Sequence, residues 1–251
     1  MTVNKKGRVA SKVAIITGAA RGLGKADARL LASEGAQVVI TDIDEAIGRE
    51  TAQSIDGAVF MQQDVRNEER WKEVVDETVN QFGRLDVLVN NAGVVDFTSV
   101  EDSTLEKFRF INSVMVEGTF LGCKYAIPEM TKSGGGSIVN ISSIAAKKGM
   151  GPIVSYTAAK GAILSMTRSI AAHCLEVKNN VRCNVILPGT HDTDMVKSAV
   201  TGLTDDQLAE PAKANAMGKP EDVGNLVLYL SSDESRFLNG SDILIDNGES
   251  L

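Results

Sequence analysis

Aromatic residues make up only 4% of this 251-residue chain, and histidine occurs twice, at His173 and His191. So few aromatics offer no platform for stacking nucleobases. A net charge of −7 repels polyanions. Nucleic acid is therefore excluded as an expected partner. Two histidines and three cysteines, Cys123, Cys174 and Cys183, lack metal-ligand spacing, so no metal site is expected. The odd cysteine count reads as reduced thiols in a cytoplasmic protein. No apolar run is long enough to span a membrane. The start, Met1 to Lys12, is polar and basic, with no apolar core of a secretory signal. The five prolines form no linker, and no repeat or low-complexity tract divides the chain.

What is present is a large apolar fraction, 43%, arranged as short β-branched runs between amphipathic stretches. The runs predict strands at Val13–Thr17, Val38–Thr41, Val59–Gln62, Val87–Asn90, Ser137–Ile141, Val181–Leu187 and Ile243–Ile245. Near-continuous apolar strands suit a parallel sheet covered on both faces. The spacing predicts helices over Glu68–Phe82 and Leu105–Met130, with Pro128 ending or kinking the second. Alternating βα units predict an α/β, Rossmann-type doubly wound fold with about seven parallel strands. One domain is expected over residues 1–251, with a substrate lid near 190–217.

The first strand runs into Gly18-Ala-Ala-Arg21-Gly22-Leu23-Gly24. Gly18 permits a tight turn, Gly22 a close backbone approach to a pyrophosphate, and Gly24 close helix packing. The helix start then faces the anion. Asp42 ends the second strand, where a carboxylate accepts ribose hydroxyls of NAD and repels the extra phosphate of NADP. Arg21 points mildly the other way, toward a 2′-phosphate. Asp64-Val65 and Asn90-Asn91-Ala92-Gly93 end the next two strands, though Asn and Gly are also ordinary turn residues.

Tyr156 and Lys160 stand one helical turn apart, with Ser143 thirteen residues upstream of the Tyr. A phenol of ordinary pKa about 10 is a poor acid or base near neutrality. A fixed ammonium beside it favours the phenolate and lowers that pKa. Such a Tyr exchanges a proton with an alcohol or carbonyl, and the Ser hydroxyl holds the same oxygen.

Taken in order, Thr17–Gly24, Asp42, Asp64-Val65, Asn90–Gly93, Ser142-Ser143, Tyr156-x-x-x-Lys160 and Pro188-Gly189 resemble the short-chain dehydrogenase/reductase family over about Lys12 to Gly248. The resemblance implies Ser143, Tyr156 and Lys160 as catalytic residues. Lys160 would also bind the nicotinamide ribose. The cofactor would be NAD, held by Gly18, Arg21, Gly22, Leu23, Gly24, Asp42, Asp64, Val65, Asn90, Ala92, Gly93, Tyr156, Lys160, Pro188, Gly189 and Thr193. Substrate would meet Val94, Val95, Ala145, Met150, Thr190 and Met195, a mostly apolar wall. Lys147 and Lys148 read as a solvated pair near its mouth. The family also implies a homo-oligomer, typically a tetramer.

Two stretches depart from the family. Met115 stands where an Asn is usual, and Asn112, three residues earlier, could replace it only if the helix were locally distorted. Weakened proton relay is the expected consequence. After Pro188-Gly189, His191 and Asp194 replace the usual Ile and Pro. The expected activity is an NAD-dependent alcohol dehydrogenase/ketone reductase acting on a secondary alcohol or ketone of an apolar cyclic or aliphatic substrate, such as a hydroxysteroid or alicyclic alcohol. The alternatives are a 3-oxoacyl-thioester reductase and a weakly catalytic NAD-binding sensor.

Overall fold

The structure is a computed structural model and describes residues 7–200 and 217–251. Seven parallel strands lie in the order β3-β2-β1-β4-β5-β6-β7. They are β1 (Val13–Thr17), β2 (Gln37–Asp42), β3 (Ala58–Gln62), β4 (Val87–Asn90), β5 (Gly136–Ile141), β6 (Val181–Pro188) and β7 (Asp242–Ile245). Each expected strand is present, several of them one residue longer. The chain winds outward from β1 to β3, then returns to β4 and winds the other way. That reversal opens a crevice at the carboxyl ends of β1 and β4.

The helices are α1 (Gly22–Ser33), α2 (Glu45–Gln53), α3 (Glu68–Phe82), α4 (Leu105–Asn112), α5 (Gly118–Lys132), α6 (Val154–Glu176), α7 (Asp194–Val200) and α8 (Pro220–Ser231). Local chemistry starts and stops them. The Asp44, Asn67 and Thr104 side chains accept backbone N–H groups at the starts of α2, α3 and α4. Gly83, at φ +79°, ends α3.

The expected single helix over Leu105–Met130 is two helices joined by a π turn at Ser113–Glu117. Such a turn marks an insertion that the helix absorbs, often at a functional site. Pro128 does not end α5, which runs on to Lys132. The expected lid lies mostly outside the described residues.

Both faces of the sheet are covered. Ile16, Ile40, Val89 and Val139 pack under α1 and α8, while Ile15, Val39, Leu88 and Ile138 pack under α3, α5 and α6. The second face also buries Trp71 completely, and its indole N–H donates to the Val65 carbonyl at 2.8 Å. Removing such a side chain costs about 3–5 kcal/mol. Here it would also release the loop after β3, which borders the crevice.

Candidate active site

A cleft of about 630 Å³ occupies the crevice. Its walls come from loops that follow β1, β2, β3, β4, β5 and β6, together with α6 and the π turn. It divides into two ends.

At one end, Gly18 and Gly22 adopt φ of +63° and +56°. A side chain at Gly18 would meet Ala92 Cα at 2.7 Å, and one at Gly24 would meet Asn91 Nδ2 at 2.6 Å. The backbone of the loop thus approaches the cleft without side chains, and α1 starts there. Asp42 Oδ2 accepts from Ala20 N–H at 3.1 Å and Oδ1 from Asp44 N–H at 3.0 Å, so the carboxylate is fixed by backbone. Arg21 is not free to meet a phosphate, because its guanidinium pairs with Asp44. Arg66 clamps Asp64 from Nε and Nη2 at 2.9 and 2.5 Å. Those hydrogen bonds hold the Asp64 carboxyl below its ordinary range.

At the other end, Tyr156 and Lys160 come from α6 and Ser143 from the turn after β5. Tyr156 and Ser143 line the same end of the cleft, and Lys160 Nζ lies 5.3 Å from the Tyr156 ring centre. Lys160 Nζ donates to the Ile141 carbonyl at 2.8 Å, and Ser142 Oγ donates to the Lys160 carbonyl at 2.8 Å. Burial dominates the electrostatics. It pushes the Lys160 ammonium down to about 8. It pushes the Tyr156 phenol up, with the nearby Ser143 hydroxyl drawing it back. The expected lowering of Tyr156 by Lys160 is therefore absent in the protein alone, because desolvation outweighs a cation that lies over the ring.

Among the expected residues, Gly18, Arg21, Gly22, Leu23, Asp42, Asp64, Val65, Ala92, Gly93, Ser143, Tyr156, Lys160, Pro188, Gly189, Thr193, Val94 and Met195 line the cleft. Gly24 sits behind it, as a packing glycine. Asn90 does not reach it. It is buried, and its amide donates to Asn140 Oδ1 at 2.8 Å and to Cys123 Sγ at 3.5 Å. The side chain alternates away from the cleft at that strand position.

The neighbour Asn91 takes the role instead. Its Nδ2 donates to the carbonyls of Thr17 and Gly18, stapling the glycine loop to β4. The doubled Asn was the signal for it. Ile43, Asp44, Gln63, Arg66, Phe110 and Val114 also line the cleft without having been expected there, and His191, expected as a partly exposed loop residue at the lid base, lines it from a buried position. Ile43, Asp44, Gln63, Arg66 and His191 follow strand ends, which was the available signal, whereas Phe110 and Val114 come from α4 and the π turn.

Four expected substrate residues, Val95, Ala145, Met150 and Thr190, lie outside the lining. Ala145 is buried in a 3-10 turn under Ser143. Thr190 is turned to Glu249. Met150 sits in the turn before α6, and Val95 lies one residue beyond the lining Val94. Lys147 and Lys148 are exposed, as expected, and each also makes a surface contact, Lys147 with Asp242 and Lys148 with the Glu249 carbonyl.

Met115 is fully buried, and a side chain at Gly93 would meet its sulfur at 3.4 Å and Lys160 Nζ at 3.7 Å. The helix is locally distorted here, yet Asn112 does not take the place of an amide at this point. Its Nδ2 donates to the Phe108 carbonyl of its own helix at 2.8 Å.

A family model described as "Enoyl-(Acyl carrier protein) reductase" matches residues 18–250. The chain is 40% identical over 252 residues to a trans-4-hydroxycyclohexanecarboxylate dehydrogenase of Sinomonas cyclohexanicum, covering 96% of this chain and 94% of the relative. It is 38% identical over 244 residues to a 3-alpha-(or 20-beta)-hydroxysteroid dehydrogenase of Mycobacterium tuberculosis (strain ATCC 25618 / H37Rv), covering 96% and 90%. It is 36% identical over 247 residues to an NADP-dependent (R)-specific alcohol dehydrogenase of Lentilactobacillus kefiri, covering 96% and 97%.

Proposed function

The chain belongs to the short-chain dehydrogenase/reductase family, and from that premise we propose that it interconverts a secondary alcohol and a ketone with NAD(H). The observation that carries this reading is that Ser143, Tyr156 and Lys160 line one cleft that also has a glycine cradle, with Lys160 Nζ 5.3 Å from the Tyr156 ring centre. Ser143 would hold the substrate oxygen. Tyr156 would deliver its proton to that oxygen in reduction and accept it in oxidation. Lys160, at about 8, is mostly an ammonium at neutral pH and stabilises the phenolate that forms.

The residues present fit a dinucleotide, because Gly18 and Gly22 leave its phosphates room and Asp42 is held ready for a ribose. When bound, the cofactor supplies the hydride chemistry.

Preference for NAD over NADP is supported twice. The fixed Asp42 carboxylate opposes a 2′-phosphate, and Asp44 occupies the arginine that would attract one. Apolar Val94 and Met195, with relatives named for cyclic alcohols, support an alicyclic or steroid-like substrate. Exposed Leu105, Phe108 and Phe120 on α4 and α5 support a homotetramer, and three buried free thiols suit the cytoplasm.

A second reading, an NAD-binding sensor of weak activity, is favoured by Met115, buried beside Gly93 where the family usually has an Asn. Initial rates on cyclic alcohols, ketones and a 3-oxoacyl thioester, each with both cofactors, test these readings. Turnover of a cyclic alcohol with NAD is the expected result. NADH binding with no turnover on any substrate favours the sensor.

A further inference from the structure

The carboxyl-terminal turn reaches the cleft wall through one carboxylate. Glu249 Oε2 accepts from Thr190 N–H at 2.7 Å and Oε1 from the Thr190 hydroxyl at 2.9 Å. A side chain at Gly189 would meet Glu249 Oε2 at 2.7 Å, so the carboxylate lies flat against that glycine. The turn that returns Glu249 to β6 is built for it. Asn247 and Gly248 adopt φ of +48° and +81°. Asp246 accepts from the N–H groups of Gly248 and Ser250 at 3.1 and 3.0 Å. The Glu249 carbonyl also accepts from Lys148 Nζ at 3.0 Å, on the loop after β5. Glu249 therefore ties together the two loops that carry Ser143 and Gly189.

We infer that Glu249 is a positioning residue for the Pro188–Thr190 wall at the catalytic end of the cleft. It lines no part of the cleft itself. It acts through Thr190, whose N–H and hydroxyl both converge on one charged acceptor. Charge-assisted hydrogen bonds of this kind are about twice as strong as neutral ones. Removing the carboxylate leaves the wall held by Gly189 N–H to the Ile245 carbonyl and by the bridge between His191 and Gly218. Adenosine-side contacts come from other loops and do not depend on it.

The inference rests on the dehydrogenase reading for its kinetic arm only. Glu249→Ala and Glu249→Gln are compared with wild type in the full chain by three measurements. Amide hydrogen exchange at Thr190 is followed without cofactor. NADH is titrated by its own fluorescence. Ketone reduction gives kcat and KM.

In Glu249→Ala, Thr190 exchange should rise about tenfold, the loss of one protecting hydrogen bond. The NADH dissociation constant should stay within about threefold, while the emission gain of bound NADH and kcat fall about tenfold. Glu249→Gln, which keeps one acceptor oxygen, should fall between. Unchanged Thr190 exchange, or wild-type kcat with faster exchange, overturns the proposal. Equal losses of NADH affinity and kcat overturn it as well. If the alanine variant does not fold, the glutamine variant alone decides by the same criteria. A wild type that binds NADH but reduces no ketone removes the dehydrogenase reading and leaves the exchange and emission tests standing.

Discussion

The two ends of the cleft are held in different ways. At the Asp42 end the fixing contacts are charged and lie near solvent. Asp42 is bound by the amides of Ala20 and Asp44, Arg21 by Asp44, and Asp64 by Arg66. At the Tyr156 end Lys160 and Met115 are buried, and the Glu249 contact beside them is half-buried. Lys160 reaches back to Ile141, Met115 lies against Gly93, and Glu249 spans to Thr190. The first end is tuned by neighbouring charges and the second by desolvation. Asp64 is accordingly shifted by its arginine, and Lys160 by burial.

Breaking the dry end should have the largest effect. Tyr156→Phe removes the phenol proposed as the acid, so kcat should fall roughly 10³-fold. NADH affinity, measured by fluorescence titration, should remain near wild type. A comparable loss of affinity would mean that the two ends are not separable.

At the wet end, Asp42→Asn combined with Asp44→Asn removes one repulsive carboxylate and frees Arg21. The ratio of kcat/KM for NAD over NADP should drop about 10²-fold, with either single variant giving less. Initial rates with both cofactors decide it. A double variant that keeps the wild-type ratio would show that the cofactor choice is made elsewhere.

Asp27 tests whether burial, rather than membership of the site, sets the dry behaviour. It lies in α1, which starts at the wet end, yet both its oxygens are buried without a partner. Burial raises its carboxyl well above the ordinary range. Below pH about 4 the folded and unfolded forms are both protonated, and no penalty arises. As pH rises the unfolded carboxyl ionises first, and the folded state loses stability. Asp27→Ala should therefore stabilise the protein at pH 7 by about 1–3 kcal/mol. The gain should shrink toward pH 4, as read from denaturant midpoints at both values.

The pH profile sharpens the same contrast. With Lys160 lowered to about 8, its ammonium is lost as pH rises through that value. Ketone reduction at saturating NADH should fall above pH 8, approaching tenfold per pH unit. The folded state disfavours the ammonium, so Lys160 costs stability below about 8 and costs nothing above its ordinary value. A rate that stays flat to pH 10 would remove Lys160 from the proton path. The smallest effect expected is at Met115. Met115→Asn should raise the steady-state rate a few-fold, about 1 kcal/mol or less, with no gain counting against a weakened relay.

The sequence by itself determined the order of strands and helices, the glycine loop, and the residues that stand at strand ends. Those are local facts. A period of two or near 3.6, a positive-φ glycine and a capping side chain act within a few residues. They sufficed for a seven-stranded parallel sheet, for the motif order and for the pairing of Tyr156 with Lys160 on one helix.

Tertiary structure decided what those patterns cannot carry. Which of Asn90 and Asn91 faces the cleft depended on the phase of β4 against its neighbours. Whether Asn112 could replace Met115 depended on a π turn and on the Phe108 carbonyl. The state of Tyr156 depended on how much water the folded chain excludes. Glu249 meets Thr190 across 59 residues of sequence, and nothing short-range announces such a contact. Distance along the chain is the physical reason, because packing and desolvation are properties of neighbours that only folding brings together.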